Sequence, residues 1–135
     1  EVPMVQYRAI KAGADFVTPE GEVVPNHRLT TDPTPPKRFA YMSDTAYTEK
    51  HLELIHGVDC LYHESTFLKE DAARIKATLH SSAEQAATLA KKAEVKQLII
   101  GHYSARYTDS SVFLKEAKAI FENTYAAHDG AMYLF

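Results

Sequence analysis

Four short clusters hold most of the side chains able to do acid–base, metal or phosphate chemistry: Ser43-Asp44-Thr45, His63-Glu64-Ser65-Thr66, His80-Ser81-Ser82 and Gly101-His102-Tyr103-Ser104-Ala105-Arg106-Tyr107. Asp44 can offer a carboxylate to a cation, or it can simply open a loop or cap the helix that follows. Glu64 and His80 supply a carboxylate and an imidazole, the pairing from which a positioned proton donor is built. Ser81 and Glu84 have capping-box spacing, which assigns Ser81 to a helix start and puts His80 just outside that helix's positive end. The helix end disfavours a charged imidazole and a nearby carboxylate such as Glu64 favours it, so the two influences can tune a donor. A histidine before a helix is as readily a solvated or backbone-bonded residue.

Gly101 permits close backbone approach. His102, directly after the apolar run Leu98-Ile99-Ile100, is held on a rigid element, which suits a metal ligand and equally a histidine at the edge of a core. Ser104 and Arg106 place a hydroxyl and a guanidinium in one short loop, a pair suited to a phosphate, although Arg106 can also meet a surface carboxylate. The other histidines carry less: His51 and His56 are five apart and share no helix face, His27 lies in a Pro-flanked loop, and His128 precedes a turn. Cys60, between Val58 and Leu61, reads as a small core residue.

The pattern around these clusters alternates strand and helix. Arg38 to Ser43, Val58 to His63 and Gln97 to Ile100 read as strands. Helices are expected at Glu49 to His56, along Phe67, Leu68, Ala72, Ile75 and Leu79, along Ala83, Ala86, Ala87, Ala90 and Ala93, and along Val112, Phe113, Ala117, Ile120 and Phe121. The first third reads as a helix from Val5 to Ala12 and a hairpin around Pro19-Glu20-Gly21. The Pro-rich stretch Thr30 to Pro36 follows as a connector within one domain. Asp129-Gly130 predicts a type I′ hairpin between Thr124 to Ala127 and Ala131 to Phe135. Alternating elements predict a layered α/β domain with its functional residues in loops just past the strand ends, where all four clusters fall.

The chain has 135 residues, 45% of them hydrophobic and 24% charged, a composition that supports a packed core. A formal net charge of −3 excludes a strongly basic nucleic-acid coat and leaves room only for a local basic patch. The single cysteine cannot make an internal disulfide or a multi-cysteine zinc site, which points to a reducing compartment and hence the cytoplasm. Apolar runs of only a few residues predict no membrane span, and Glu1-Val2-Pro3 does not open a signal peptide.

In order and spacing, the four clusters together with Ala83-Glu84-Gln85-Ala86 resemble the ribonuclease Z family, tRNA 3′-processing endonucleases of the metallo-β-lactamase superfamily. Val2-Pro3, Lys11-Ala12-Gly13, Gly21 and the Asp129-Gly130 turn extend the likeness over nearly the whole chain, against only the second half of the family. The metal-binding His-x-His-x-Asp-His motif of the family's first half, and the histidine that follows it, have no counterpart here. The resemblance therefore implies the C-terminal half of a metallo-β-lactamase αββα sandwich, a mixed sheet covered by helices.

The resemblance further implies two Zn2+ per complete site, with Asp44 as the bridging carboxylate and His102 as a ligand of one ion. His80 matches the proton donor, Glu64 the carboxylate that orients it, and Ser104 and Arg106 the phosphate-contacting loop. Ala105 stands where the family commonly has a second serine, so one hydroxyl is missing. The implied substrate is a tRNA precursor, and the implied full-length protein is a homodimer. With two ligands where a catalytic zinc generally needs three, the chain alone should bind metal weakly and be inactive. Two other readings are kept: a hydrolase of the same fold acting on small phosphodiesters or aryl sulfates, and a non-catalytic module binding an RNA end through Ser104 and Arg106.

Overall fold

The computed structural model describes residues 2–135, which pack as two units, one ending at Pro36 and the other running from Lys37 to Phe135. In the first unit a 3-10 turn over Met4–Gln6 leads into α1 (Tyr7–Lys11), and β1 (Phe16–Val17) pairs antiparallel with β2 (Val23–Val24). The turn between them closes through the Gly21 amide on the Thr18 carbonyl, so the expected hairpin is present. The Asn26 side chain pins this unit by donating to the carbonyls of Ile10 and Ala14 at 2.7 and 2.8 Å.

The second unit is built on a four-stranded sheet in the order β3 (Phe39–Met42), β4 (Cys60–Glu64), β5 (Leu98–Gly101), β6 (Thr124–Ala126). Every neighbouring pair is parallel. The mixed character expected of the sheet is thus not carried by these four strands. Between them run α2 (Leu52–Ile55), α3 (Ala72–Thr78), α4 (Ala83–Lys92) and α5 (Ser111–Lys118).

Register fixes which side chains share a face. Met42, His63, Ile100 and Ala126 align in one row, and Tyr41, Tyr62, Ile99 and Tyr125 in the next. The first face joins Leu61, Leu98 and Ile100 to Ala83, Ala86, Ala87 and Ala90 of α4 and to Phe113 and Ala117 of α5. The alanines let α4 lie close to the sheet, and the fully buried Phe113 fills the space beside them. On the other face Tyr41 and Tyr62 stack at 4.7 Å, with Tyr41 65% exposed. One face covered by helices and one part-exposed aromatic face, on which Phe135 stacks against Phe39 and Tyr133 packs edge-on against Tyr125, are the layers of half a sandwich.

Three expectations are corrected. The chain after β6 does not return as a strand: Ala131–Phe135 has no ladder, and β6 pairs only with β5. The turn closes with the Ala131 amide on the His128 carbonyl, and of its two central residues only Gly130 has positive φ, whereas a type I′ turn needs both. The capping box sits one residue later than expected, Ser82 with Gln85, each side chain bonded to the other's backbone amide. Ser81 instead donates to the Thr45 carbonyl at 2.7 Å, and the Glu84 amide donates to Glu116. Lastly, Phe67 and Leu68 precede their helix, Phe67 bridging Ser82, and Leu79 ends α3 at φ 59° with its side chain exposed.

His63, in the helix-covered face, is fully buried and donates from Nδ1 to the carbonyl of Glu64 at 2.6 Å. Its Nε2 is without a partner, and desolvation holds the ring's pKa below the ordinary value.

Candidate functional site

The sheet's parallel register delivers the clusters to one edge. β3 ends at Met42, β4 at Glu64 and β5 at Gly101, so Asp44, Thr66 and His102 all lie within two residues of a strand's C-terminal end. The start of α4 brings His80 and Ser81 to the same place. Ser81, through Thr45, ties the loop after β3 to the segment before α4, and the Ser104 amide on the Thr66 carbonyl ties the loop after β5 to the one after β4.

Glu64 is the centre of this arrangement. It is fully buried and takes four donors: the Thr45 amide (2.9 Å) and His80 Nδ1 (2.7 Å) on Oε1, the Thr66 amide (3.1 Å) and the Thr66 hydroxyl (2.6 Å) on Oε2. Burial alone raises a carboxyl's pKa, but the bonds from Thr66, His80 and the backbone outweigh it and hold Glu64 below the usual range. With Nδ1 committed to Glu64, His80 has Nε2 left for chemistry.

Asp44, His80 and His102 each bring a ligand atom to within 4.8 Å of the others. His102 Nε2 lies 3.2 Å from Asp44 Oδ1. Two donors each about 2.0 Å from a tetrahedral zinc are about 3.3 Å apart, so this pair already spans one edge of such a site. A set of two imidazoles and one carboxylate suits zinc and similar divalent ions. Side-chain exposure rises from none at Glu64 and 24% at His80 to 42% at His102 and 71% at Asp44, so the donors open outward from a buried acceptor.

Both ligand candidates sit in the left-handed region, Asp44 at φ 49° and His102 at φ 62°. Asp and His tolerate this region better than most residues, but it still disfavours an L side chain, and such positions concentrate at functional sites. The glycine before His102 sits in tight packing: a Cβ on Gly101 would stand 2.5 Å from the Tyr62 hydroxyl and force that ring to shift.

Ser104 and Arg106 lie in the exposed loop beyond, with the Arg106 guanidinium in no ion pair among the described residues. His27 lies in the first unit, His51 and His56 flank α2, His128 two residues past β6 lines a pocket with His102 and Tyr103, and Cys60 is buried in β4 with its thiol pushed up to about 11 by desolvation. Sequence reasoning placed Thr66 in its cluster without a role, and missed both its hydroxyl's reach to His102 Nδ1 at 2.9 Å and the linking role of Ser81. A hydroxyl two residues past Glu64 is the only signal for Thr66.

The chain is 56% identical over 130 residues to a protein named ribonuclease Z from Parabacteroides distasonis, covering 96% of this chain and 43% of that protein. It is 54% identical over 129 residues to the ribonuclease Z of Bacteroides thetaiotaomicron, covering 96% of this chain and 41% of that one. It thus spans about two fifths of the length of these curated relatives.

Among solved structures, a metallo-beta-lactamase fold protein of Bacillus subtilis superposes with a TM-score of 0.59 at 22% identity, over 65% of this chain and 35% of that one. The short form of human tRNase Z gives 0.55 at 23% identity, over 79% of this chain and 34% of that one. No described helix is long and apolar enough to cross a membrane. Residues 23–103, more than half of the chain, match the family described as the Beta-lactamase superfamily domain, and with the fold in agreement, the chain belongs to the beta-lactamase superfamily.

Proposed function

We propose that this chain is the C-terminal half of a ribonuclease Z, a zinc-dependent endonuclease cleaving tRNA precursors at the 3′ side of the acceptor end. The observation that carries this reading is the outward-facing set Asp44, His80 and His102 backed by the buried Glu64, in a chain so similar to proteins of that name. Asp44 and His102 would hold metal, and the remaining ligands of a two-zinc site come from the first half of the full-length protein. When bound, the metal supplies positive charge and Lewis-acid polarisation at a phosphodiester.

His80, held at Nδ1 by Glu64, presents Nε2 to hand a proton to the leaving oxygen. Glu64, both oxygens occupied by donors, fixes the ring's direction and steadies it while it carries that proton. Ser104 and Arg106 contact a phosphate from the neighbouring loop. In this reading the full-length protein is a cytoplasmic homodimer, and the present chain by itself is inactive.

Incubating the zinc-loaded full-length protein with a tRNA precursor bearing a 3′ trailer tests the proposal: cleavage at the acceptor end supports it, and an uncut precursor overturns it. Because His80 also lies within ligand distance of the other two donors, a second reading makes it a metal ligand. Asp44→Ala is expected to lose metal and activity together, while His80→Ala keeps metal and slows cleavage. Equal metal loss in both variants assigns His80 to the metal.

A further inference from the structure

Thr66 stands between the two halves of the site. Its side chain is buried, with Oγ1 2.6 Å from Glu64 Oε2 and 2.9 Å from His102 Nδ1. A hydroxyl has one proton to give, and an ionised carboxylate can only accept. Glu64 already receives His80 Nδ1 and the Thr45 amide on one oxygen and the Thr66 amide on the other, so every group around it is a donor and the Thr66 proton completes the set.

With that proton spent on Glu64, Thr66 has only a lone pair to offer His102, and the ring nitrogen 2.9 Å away must be the one bearing hydrogen. A neutral imidazole carries a single N–H, so the lone pair is then on Nε2. Nε2 is the atom 3.2 Å from Asp44 Oδ1. A second ring proton or a shared cation bridges such a pair.

We propose that Thr66 is a positioning residue that fixes His102 as its Nδ1–H tautomer and so aims the Nε2 lone pair, beside Asp44, at the metal. Glu64 becomes the common anchor of both imidazoles, binding His80 directly and His102 through the Thr66 hydroxyl. The consequence for metal rests on the ligand assignment made above for His102; the tautomer itself does not.

The test uses the full-length protein. Nitrogen-15 NMR of the histidine side chains, on metal-free protein at mildly alkaline pH, should show His102 protonated at Nδ1 in the wild type and in Thr66→Ser. In Thr66→Val the ring should change to the Nε2–H form or a mixture. Calorimetric Zn2+ titration should then show Thr66→Val weakened about 10- to 100-fold, the range for loss of a partner behind a ligand, with Thr66→Ser close to wild type.

A wild-type His102 protonated at Nε2 overturns the inference, as does a Thr66→Val protein with unchanged tautomer and Zn2+ affinity. The wild-type and serine spectra decide even where the valine variant does not fold. Failure of the ribonuclease reading appears elsewhere, as precursor tRNA left uncut by the wild type.

Discussion

Glu64→Gln changes one acceptor atom and one charge at almost constant shape. The carboxylate is fully buried and faces only donors. An amide must turn its NH2 toward two of them. Toward Oε1's partners, it confronts the Thr45 amide and His80 Nδ1. Toward Oε2's partners, the Thr66 hydroxyl can rotate to accept, and only the Thr66 amide loses its bond, so this orientation is the cheaper. A stranded buried donor costs about 1–3 kcal/mol, and the surviving bonds fall from charged-acceptor strength, about 1.5–3 kcal/mol, toward about 1 kcal/mol. Relief from burying a charge offsets part of this, leaving a net destabilisation of about 2 kcal/mol.

The pH dependence has a definite sign. Glu64's pKa is below the ordinary value in the folded protein, so its contribution is present above the unfolded carboxylate pKa of about 4.3 and is lost as pH falls through the lower folded value. His63, whose pKa is depressed by desolvation, weakens wild type and variant alike as pH falls below about 6.5, and so cancels in the comparison. Urea unfolding of the full-length wild type and Glu64→Gln, at neutral pH and in a series below pH 5, measures the gap. It should be about 2 kcal/mol at neutral pH and close under acid. A neutral-pH gap below about 0.5 kcal/mol, or one that does not narrow in acid, refutes the reasoning.

Gly101→Ala should destabilise by about 1–3 kcal/mol, because the new Cβ meets the Tyr62 hydroxyl at 2.5 Å and Ala127 Cβ at 3.1 Å; thermal unfolding reads this, and adding Tyr62→Phe should recover part of the loss. Phe113→Ala removes a fully buried ring that packs against Tyr103 and Tyr107 at 4.8 Å each, and denaturant unfolding should show a loss of about 3–5 kcal/mol. Cys60, fully buried with its thiol pushed up to about 11, should stay unmodified by a disulfide reagent at neutral pH until denaturant unfolds the protein, which timed absorbance measurements follow.

The alternation of strand and helix, the core face of alanines and the strand-end placement of Asp44, Glu64 and His102 were legible because each rests on local periodicity. The failures share a different cause. Ser81-x-x-Glu84 and Ser82-x-x-Gln85 both satisfy the capping-box pattern, and the choice fell to Ser82 because Thr45 and Glu116, distant in the chain, claim Ser81 and the Glu84 amide. Asp129-Gly130 has hairpin chemistry, but a hairpin needs a returning strand on β6's free edge, and Ala131–Phe135 forms none. The link from Thr66 to His102 escaped notice for the same reason, since the two lie 36 residues apart. What joins them is the β4–β5 register, which sets Glu64 opposite Gly101 and so carries His102 one step past Glu64's row, level with the loop that holds Thr66. A slip of one residue between these strands would turn Glu64 away from His80 and take Thr66 out of register with His102, leaving every residue of the site present and only the local Thr66–Glu64 bonds intact. The site is therefore a property of strand pairing as much as of its side chains, and the row of packed residues behind it, Met42, His63 and Ile100, is what excludes that slip.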